Sequence, residues 1–321
     1  MSKTNSAQVN NDELFRFIDR DEISSEKITA PRYSYWKSVF RVFFRKKINI
    51  FMLAVLILLL LASFILPSFW HYDPMENSTN SQYYNLSPAT AMSVLGTSPK
   101  YWFGTGPMGN SIMYGIVAGA KTSLTIAIIC AAINMTVGIL VGAIWGYSKR
   151  FDAVMLVIYN IVANVPYILL ISVLVYVVGS GFWPFIFALT ITGWLGIAYF
   201  FRTQVMIIRD REYSLASRCL GTPTGRVISK NILPFLTSVI VTQLATELPS
   251  YISMEVFLSF IGIGLSASVP SLGRMIQNAQ SAFLTYPWAF WPPVIIASAI
   301  TIILYVLGQN LADASDPRTH M

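Results

Sequence analysis

INIFMLAVLILLLLASFILPSFW, residues 48–70, carries no charged side chain over its whole length. A helix of about 20 residues crosses a hydrocarbon core of about 30 Å. This run is therefore long enough to span a bilayer once. The composition agrees, because 55% hydrophobic and 12% charged residues leave too little charge to cover a soluble domain. Outward from it, residues 122–148 form a second charge-free run. Residues 153–201 form a third of 49 residues, which reads as two spans joined through the GSGFWP break at 179–184. Residues 231–266 supply a fifth span holding two acids, and residues 275–312 a sixth, centred on 291–309. The expected fold is an all-α integral membrane protein with six transmembrane helices.

The boundaries follow from the same pattern. Residues 1–32 read as a polar tail and 33–47, YSYWKSVFRVFFRKK, as an interfacial amphipathic segment with aromatics between bases, suited to anionic lipid. Residues 48–70 are the first span. This run exceeds the 7 to 15 apolar residues of a signal core, so it is expected to stay as a helix. Residues 71–112, rich in Asn, Ser, Tyr and Pro, read as an extracytoplasmic cap loop. Residues 113–312 form a five-helix core interrupted by a polar excursion at 203–231, and 313–321 a short C-terminal tail.

Orientation rests on the bases. With six spans both termini share a side, and that side collects 19 Lys and Arg, whereas Lys100, Lys121 and Arg274 fall on the other. The bias predicts a multi-pass cell-membrane protein with both termini cytoplasmic. It also accounts for the net charge of +7 through topology and lipid, leaving no nucleic-acid partner to infer. Cys130 and Cys219 have no metal-site spacing, and His71 and His320 fall on opposite sides, so no metal site is expected. No phosphate-binding loop, HExxH or GxSxG motif is present, so the chain is not expected to be an enzyme.

Polar and small residues inside the spans single out particular faces. Gly138, Gly142 and Gly146 recur at i, i+4 and i+8 and predict a close helix–helix approach. Asn160 and Asn164 share a face and need partners or a wet cavity, and Pro166 predicts a kink beside them. Glu247 lies deep in the fifth span beside Pro249, and Glu255 lies two turns beyond. A carboxylate at such depth must face a polar pathway or the bundle interior. For Glu247 the two readings, pathway wall and packing hydrogen bond, stay open together, and for Glu255 packing is favoured.

REYSLASRCLGTPTGRVISKNILPF, residues 211–235, is polar and yet flanked by spans. Its first ten residues predict a short helix, Gly221 the left-handed ending, and Thr222 with Pro223 the start of a second short helix. A helix pair presenting Glu212, Tyr213, Leu215, Arg218 and Cys219 reads as a docking surface. The stretch resembles the cytoplasmic "EAA" loop of bacterial ABC importer permeases, Glu-Ala-Ala, three residues, Gly, about ten residues, Ile-Leu-Pro. Here it falls on Leu215, Ala216, Ser217, Gly221, Ile232, Leu233 and Pro234, with Leu215 in place of the glutamate and Ser217 in place of the second alanine. FGTGPMGNSIMYGIVAGAKTSLTIAI (103–128), EVFLSFIGIGLSASVPSLGRMI (255–276) and LGQNLADASDPR (307–318) are similar to the C-type permease subunit of the oligopeptide and dipeptide branch.

The resemblance implies the type I permease fold and half of a translocation pathway for oligopeptides or dipeptides. Nickel and glutathione are its alternative cargoes. It implies a homologous second permease subunit forming a heterodimer, two ATPase subunits that carry ATP and Mg, and an extracytoplasmic peptide-binding protein. Glu212, Tyr213, Leu215, Ala216, Ser217, Arg218 and Gly221 would form the coupling helix. Glu247, Asn160, Asn164 and Glu255 are the pathway candidates. Two rival readings are an ion-coupled carrier using Glu247, against which stands the lack of an inverted repeat, and a scaffold that assembles other membrane proteins.

Overall fold

A computed structural model describes residues 35–266 and 268–316, so the expected tail 1–32, Arg318 and His320 lie outside the described residues. Contacts divide the chain into residues 1–38 and 39–321; of the first unit the described part is 35–38, which is helical. Helix α1, Tyr35–Arg45, alternates bases with aromatics and buries Val39 and Phe43 on one face. After it come α2, Lys47–Phe69, then α3, Pro88–Leu95, and α4, Ile112–Tyr147. An elbow pair follows, α5, Lys149–Ala163, and α6, Tyr167–Val178, then α7, Phe182–Thr190, and α8, Trp194–Arg209. The chain ends with α9, Glu212–Cys219, α10, Thr237–Phe260, α11, Leu272–Ala279, and α12, Pro287–Ser315.

Five helical stretches among the described residues are long and apolar enough to cross a membrane: α2, α4, α7 with α8, the helix leading into and including α10, and α12. The α5–α6 pair is apolar enough to make a sixth crossing, but it is bent by 83° at residues 164–166. Pro166 removes a backbone donor and forces the residue before it out of helical conformation. The kink expected at this proline is therefore an elbow. Asn164 ends α5, with its amide donating to the Asn160 carbonyl at 2.5 Å.

Inside a bilayer, helices associate through close packing and hydrogen bonds, because lipid is as apolar as leucine. The glycine ridge of α4 supplies such packing. A Cβ on Gly138 would lie 2.6 Å from Ile197 Cγ2, on Gly142 2.5 Å from the Ala198 oxygen, and on Gly146 2.5 Å from the Arg202 oxygen. The ridge therefore lays the backbone of α4 directly on α8. Gly308 of α12 repeats the device against Ala245 of α10, where a Cβ would lie 2.7 Å from its neighbour. By contrast α2 is largely exposed, and Asn49, Leu56 and Ser63 at seven-residue spacing are its buried residues.

Residues 71–111 fold as a hydrogen-bonded cap at the N-terminal end of α4. Ser87 caps α3, and the Thr105 hydroxyl donates to the Tyr83 carbonyl while accepting from the Leu86 N–H. Asn77 donates to the Gly109 carbonyl at 2.9 Å, and Lys100 pairs with Glu76. Burial works to lower the Lys100 pKa, but the hydrogen bond and charge of Glu76 outweigh it and hold the ammonium above its ordinary range.

Candidate functional site

Helix α9 is a short element between α8 and the entry of α10. The helix ends where expected: Gly221 has φ +78°, the Thr222 N–H reaches the Ser217 carbonyl, and the Gly221 N–H reaches the Arg218 carbonyl. This paired closure is the glycine-dependent helix ending. Thr222 does not cap a second helix, a correction to the sequence reading. The next helical turn starts one residue later than expected, at Thr224, so Pro223 occupies the cap position and has no side-chain acceptor to offer. Nor is there a separate second helix. The turn Thr224–Arg226 runs through a π-helical segment, Val227–Ile232, and a 3-10 turn, Leu233–Leu236, into α10. Pro234 within that turn cannot donate an N–H and favours the change of pitch.

Three side-chain contacts bind the inner face of α9 to this entry and to α4. Asn231 Nδ2 donates to Ser217 Oγ at 2.6 Å, Tyr213 stacks on Phe235 at 4.9 Å, and the Arg218 guanidinium sits 5.6 Å from the Tyr147 ring centre. Ser214 is fully buried beneath them. One turn away Arg209 donates to the Gly146 carbonyl at 2.8 Å and to Asp210. The Arg209 hydrogen bond and charge hold the Asp210 carboxyl below the usual carboxylate range. Glu212, Leu215, Ala216, Arg218, Cys219 and Gly221 remain exposed, as does Leu220, 86% accessible.

The second region lies in the membrane part. The elbow of α5 and α6, the break between α7 and α8, and α10 line an open-sided cavity of about 460 Å³. Glu247 lines it with Tyr159, Tyr167, Thr192, Ser250 and Tyr251. Gln243 Nε2 donates to Glu247 Oε1 at 2.8 Å. Asn160 and Asn164 are exposed and not among the lining residues. Glu255 is fully buried elsewhere, accepting from the Ser259 hydroxyl at 2.9 Å, against the buried Ser123 and Ser271. The structure thus brings one of the four pathway candidates to the cavity.

The cavity wall is held by residues that the sequence did not single out. At 191–193 the helix breaks, and the Leu189 carbonyl is caught by Asn134 Nδ2 at 3.2 Å and by the Tyr167 hydroxyl at 3.1 Å. Asn134, itself fully buried, also donates to the Tyr251 hydroxyl at 2.6 Å. A Cβ on Gly193 would lie 2.6 Å from Asn134 Nδ2, so only glycine admits the amide there. The Thr-Ile-Thr-Gly run 190–193 inside an apolar stretch was the available signal. Among the described residues no group of three or more His, Cys, Asp or Glu side chains is placed to hold a metal ion.

Comparison with known proteins agrees with this architecture. Residues 135–321 match the family model "binding-protein-dependent transport system inner membrane component", and residues 34–88 match "N-terminal TM domain of oligopeptide transport permease C". The chain is 46% identical to the oligopeptide transport system permease protein AmiD of Streptococcus pneumoniae, covering 96% of this chain and 98% of that one. It is 32% identical to the dipeptide transport system permease protein DppC of Bacillus subtilis, covering 96% and 93%. A solved chain of the MetNI methionine ABC transporter, in an inward-facing conformation, shares the fold with TM-score 0.54 at 18% identity, covering 64% of this chain and 97% of that one. The chain belongs to the binding-protein-dependent transport system inner membrane component family, as a C-type permease subunit of its oligopeptide and dipeptide ABC importer branch.

Proposed function

We propose that this chain forms one half of the membrane pathway of an ATP-driven oligopeptide importer, and that α9 is the element through which an ATPase subunit moves it. The observation that carries the reading is the two-sided character of α9. Its inner face is clamped to α4 and to the entry of α10, while Glu212, Leu215, Ala216 and Leu220 stand exposed. A clamped helix with an open apolar and acidic face transmits a push without absorbing it. Closure of the ATPases would then be passed to α10, which lines the cavity, as a rigid-body displacement.

The peptide cargo is supported by the names of the relatives and by a cavity that mixes aromatic, hydroxyl and carboxylate groups. The partners would be a homologous permease closing the open side of the cavity, two ATPase subunits holding ATP and Mg, and a peptide-binding protein at the cap. The bias of Lys and Arg supports placing α9 and both termini in the cytoplasm. Family permeases are not themselves catalytic, and hydrolysis would belong to the partners.

Proteoliposomes holding the full complex test the reading. Leu220→Arg puts a charge where an apolar contact is expected, and burial of a leucine is worth about 1.5–3 kcal/mol. ATP-driven peptide uptake should fall more than tenfold while the binding protein still delivers peptide to the cap. Uptake at the wild-type rate would reject α9 as the coupling element.

A further inference from the structure

We infer that Glu247 and its neighbours form a binding subsite for the free amino terminus of the peptide inside the membrane pathway. The inference rests on the importer reading above and names the chemistry of the cavity. Among the described residues Glu247 is the one carboxylate lining that space, and no Lys or Arg lines it. In a low-dielectric pocket an uncompensated carboxylate attracts a cation strongly.

The carboxylate is organised for such a ligand. Gln243 donates to Oε1, fixing the rotamer. Tyr251 accepts from Asn134, which leaves the tyrosine its own proton to direct at Glu247, one turn away on the same helix. Asn134 is in turn anchored on the Leu189 carbonyl. The carboxylate is thus tied into a hydrogen-bond relay of three helices, α4, α7 and α10. No salt bridge to it is seen among the described residues, which leaves it open to an ammonium group.

The remaining wall suits an ammonium group carrying a peptide behind it. Thr192 lines the same space, and its hydroxyl oxygen has no hydrogen-bond partner in the wall behind it. Tyr159 and Tyr167 line the same space, and an aromatic ring beside an ammonium group is a favourable neighbour. Tyr159 is stacked on Tyr199 at 4.4 Å, which fixes the orientation of its ring. The volume of about 460 Å³ admits the first residue or two of a chain and leaves the rest to the partner half. Every unmodified peptide carries an α-ammonium whatever its sequence. A site for that group therefore permits transport of many sequences without selecting side chains.

The test uses the complete complex with its binding protein in proteoliposomes and three peptides of equal length. One has a free amino terminus and no lysine, the second is its N-acetyl form, and the third is the N-acetyl form with one lysine added. Affinity of the binding protein for each is measured separately, and uptake is compared at saturation. Wild type is expected to transport the free-amine peptide about tenfold faster than the acetylated one, the scale of a hydrogen bond to a charged group. The lysine peptide should remain slow. Glu247→Gln should bring the first two rates together, with ATP hydrolysis still stimulated by the binding protein. Glu247→Asp should restore part of the preference and guards against misfolding of the first variant. Equal rates for the first two peptides in wild type, a preference that survives in Glu247→Gln, or rescue by the lysine side chain would each overturn the assignment. Failure of wild type to show any ATP-dependent uptake would instead refute the importer reading.

Discussion

Removing the clamp behind α9 should uncouple ATP hydrolysis from transport. The Asn231–Ser217 hydrogen bond, at 2.6 Å and half-buried, is worth about 1 kcal/mol. The Tyr213–Phe235 stack, at 4.9 Å, contributes about 1 kcal/mol more. Together the two hold α9 to the α10 entry by about 2 kcal/mol, which is about thirty-fold in the ratio of clamped to loose helix. The Arg218–Tyr147 contact and the backbone ending at Gly221 survive their loss. The helix therefore keeps its shape and its exposed face, and the ATPases still dock. In proteoliposomes the measured quantity is ATP hydrolysed per peptide taken up. Asn231→Ala and Tyr213→Ala should each raise it several-fold, and the double variant by more than tenfold, with hydrolysis itself largely kept. Tyr213→Phe preserves the stack and should behave as wild type. A double variant with the wild-type ratio would show that force does not pass from α9 to α10 through this clasp.

Two further outcomes follow from the membrane part. Gly142→Ala brings a methyl to 2.5 Å from the Ala198 oxygen, so α4 and α8 must separate by most of an ångström, at an overpacking cost of about 1–3 kcal/mol. Thermal unfolding of purified complex should reveal that loss, whereas Gly196→Ala, whose added carbon meets nothing within 4 Å, should melt as wild type does; equal melting of the two would refute the glycine seam. Asn134→Leu strips the Tyr251 hydroxyl of its donor and leaves the Leu189 carbonyl to Tyr167 alone, and should cost about 1 kcal/mol of stability in mixed-micelle unfolding. An unchanged unfolding midpoint would remove Asn134 from the cavity support.

The spans were legible because the bilayer imposes a length on each apolar run. The glycine ridge was legible because i, i+4 spacing reads as one helix face before any partner is known. The close of α9 at Gly221 was legible from local backbone preference, although the role given to Thr222 was not: the next helical turn starts one residue later, which leaves Pro223 at the cap position. The depth of the elbow at Pro166 was hidden, since a proline in a long apolar run predicts a kink of unspecified size. The polar support of the cavity was hidden more completely. Asn134 lies 55 residues from Leu189 and 117 from Tyr251, and a single Asn in an apolar helix carries no mark of its partner.

The sequence by itself determined that the chain lives in a membrane, which end collects the bases, and where a short exposed helix interrupts the spans. These properties depend on local composition and on the free energy of placing each residue in lipid or water. Tertiary structure alone decided that Glu247 meets a cavity while Asn160, Asn164 and Glu255 do not, and that α9 is clamped to α10 and α4. Those outcomes depend on which helix faces meet, and helices that cannot use the hydrophobic effect against one another in lipid are sorted by shape and by scattered hydrogen bonds between residues far apart in the chain.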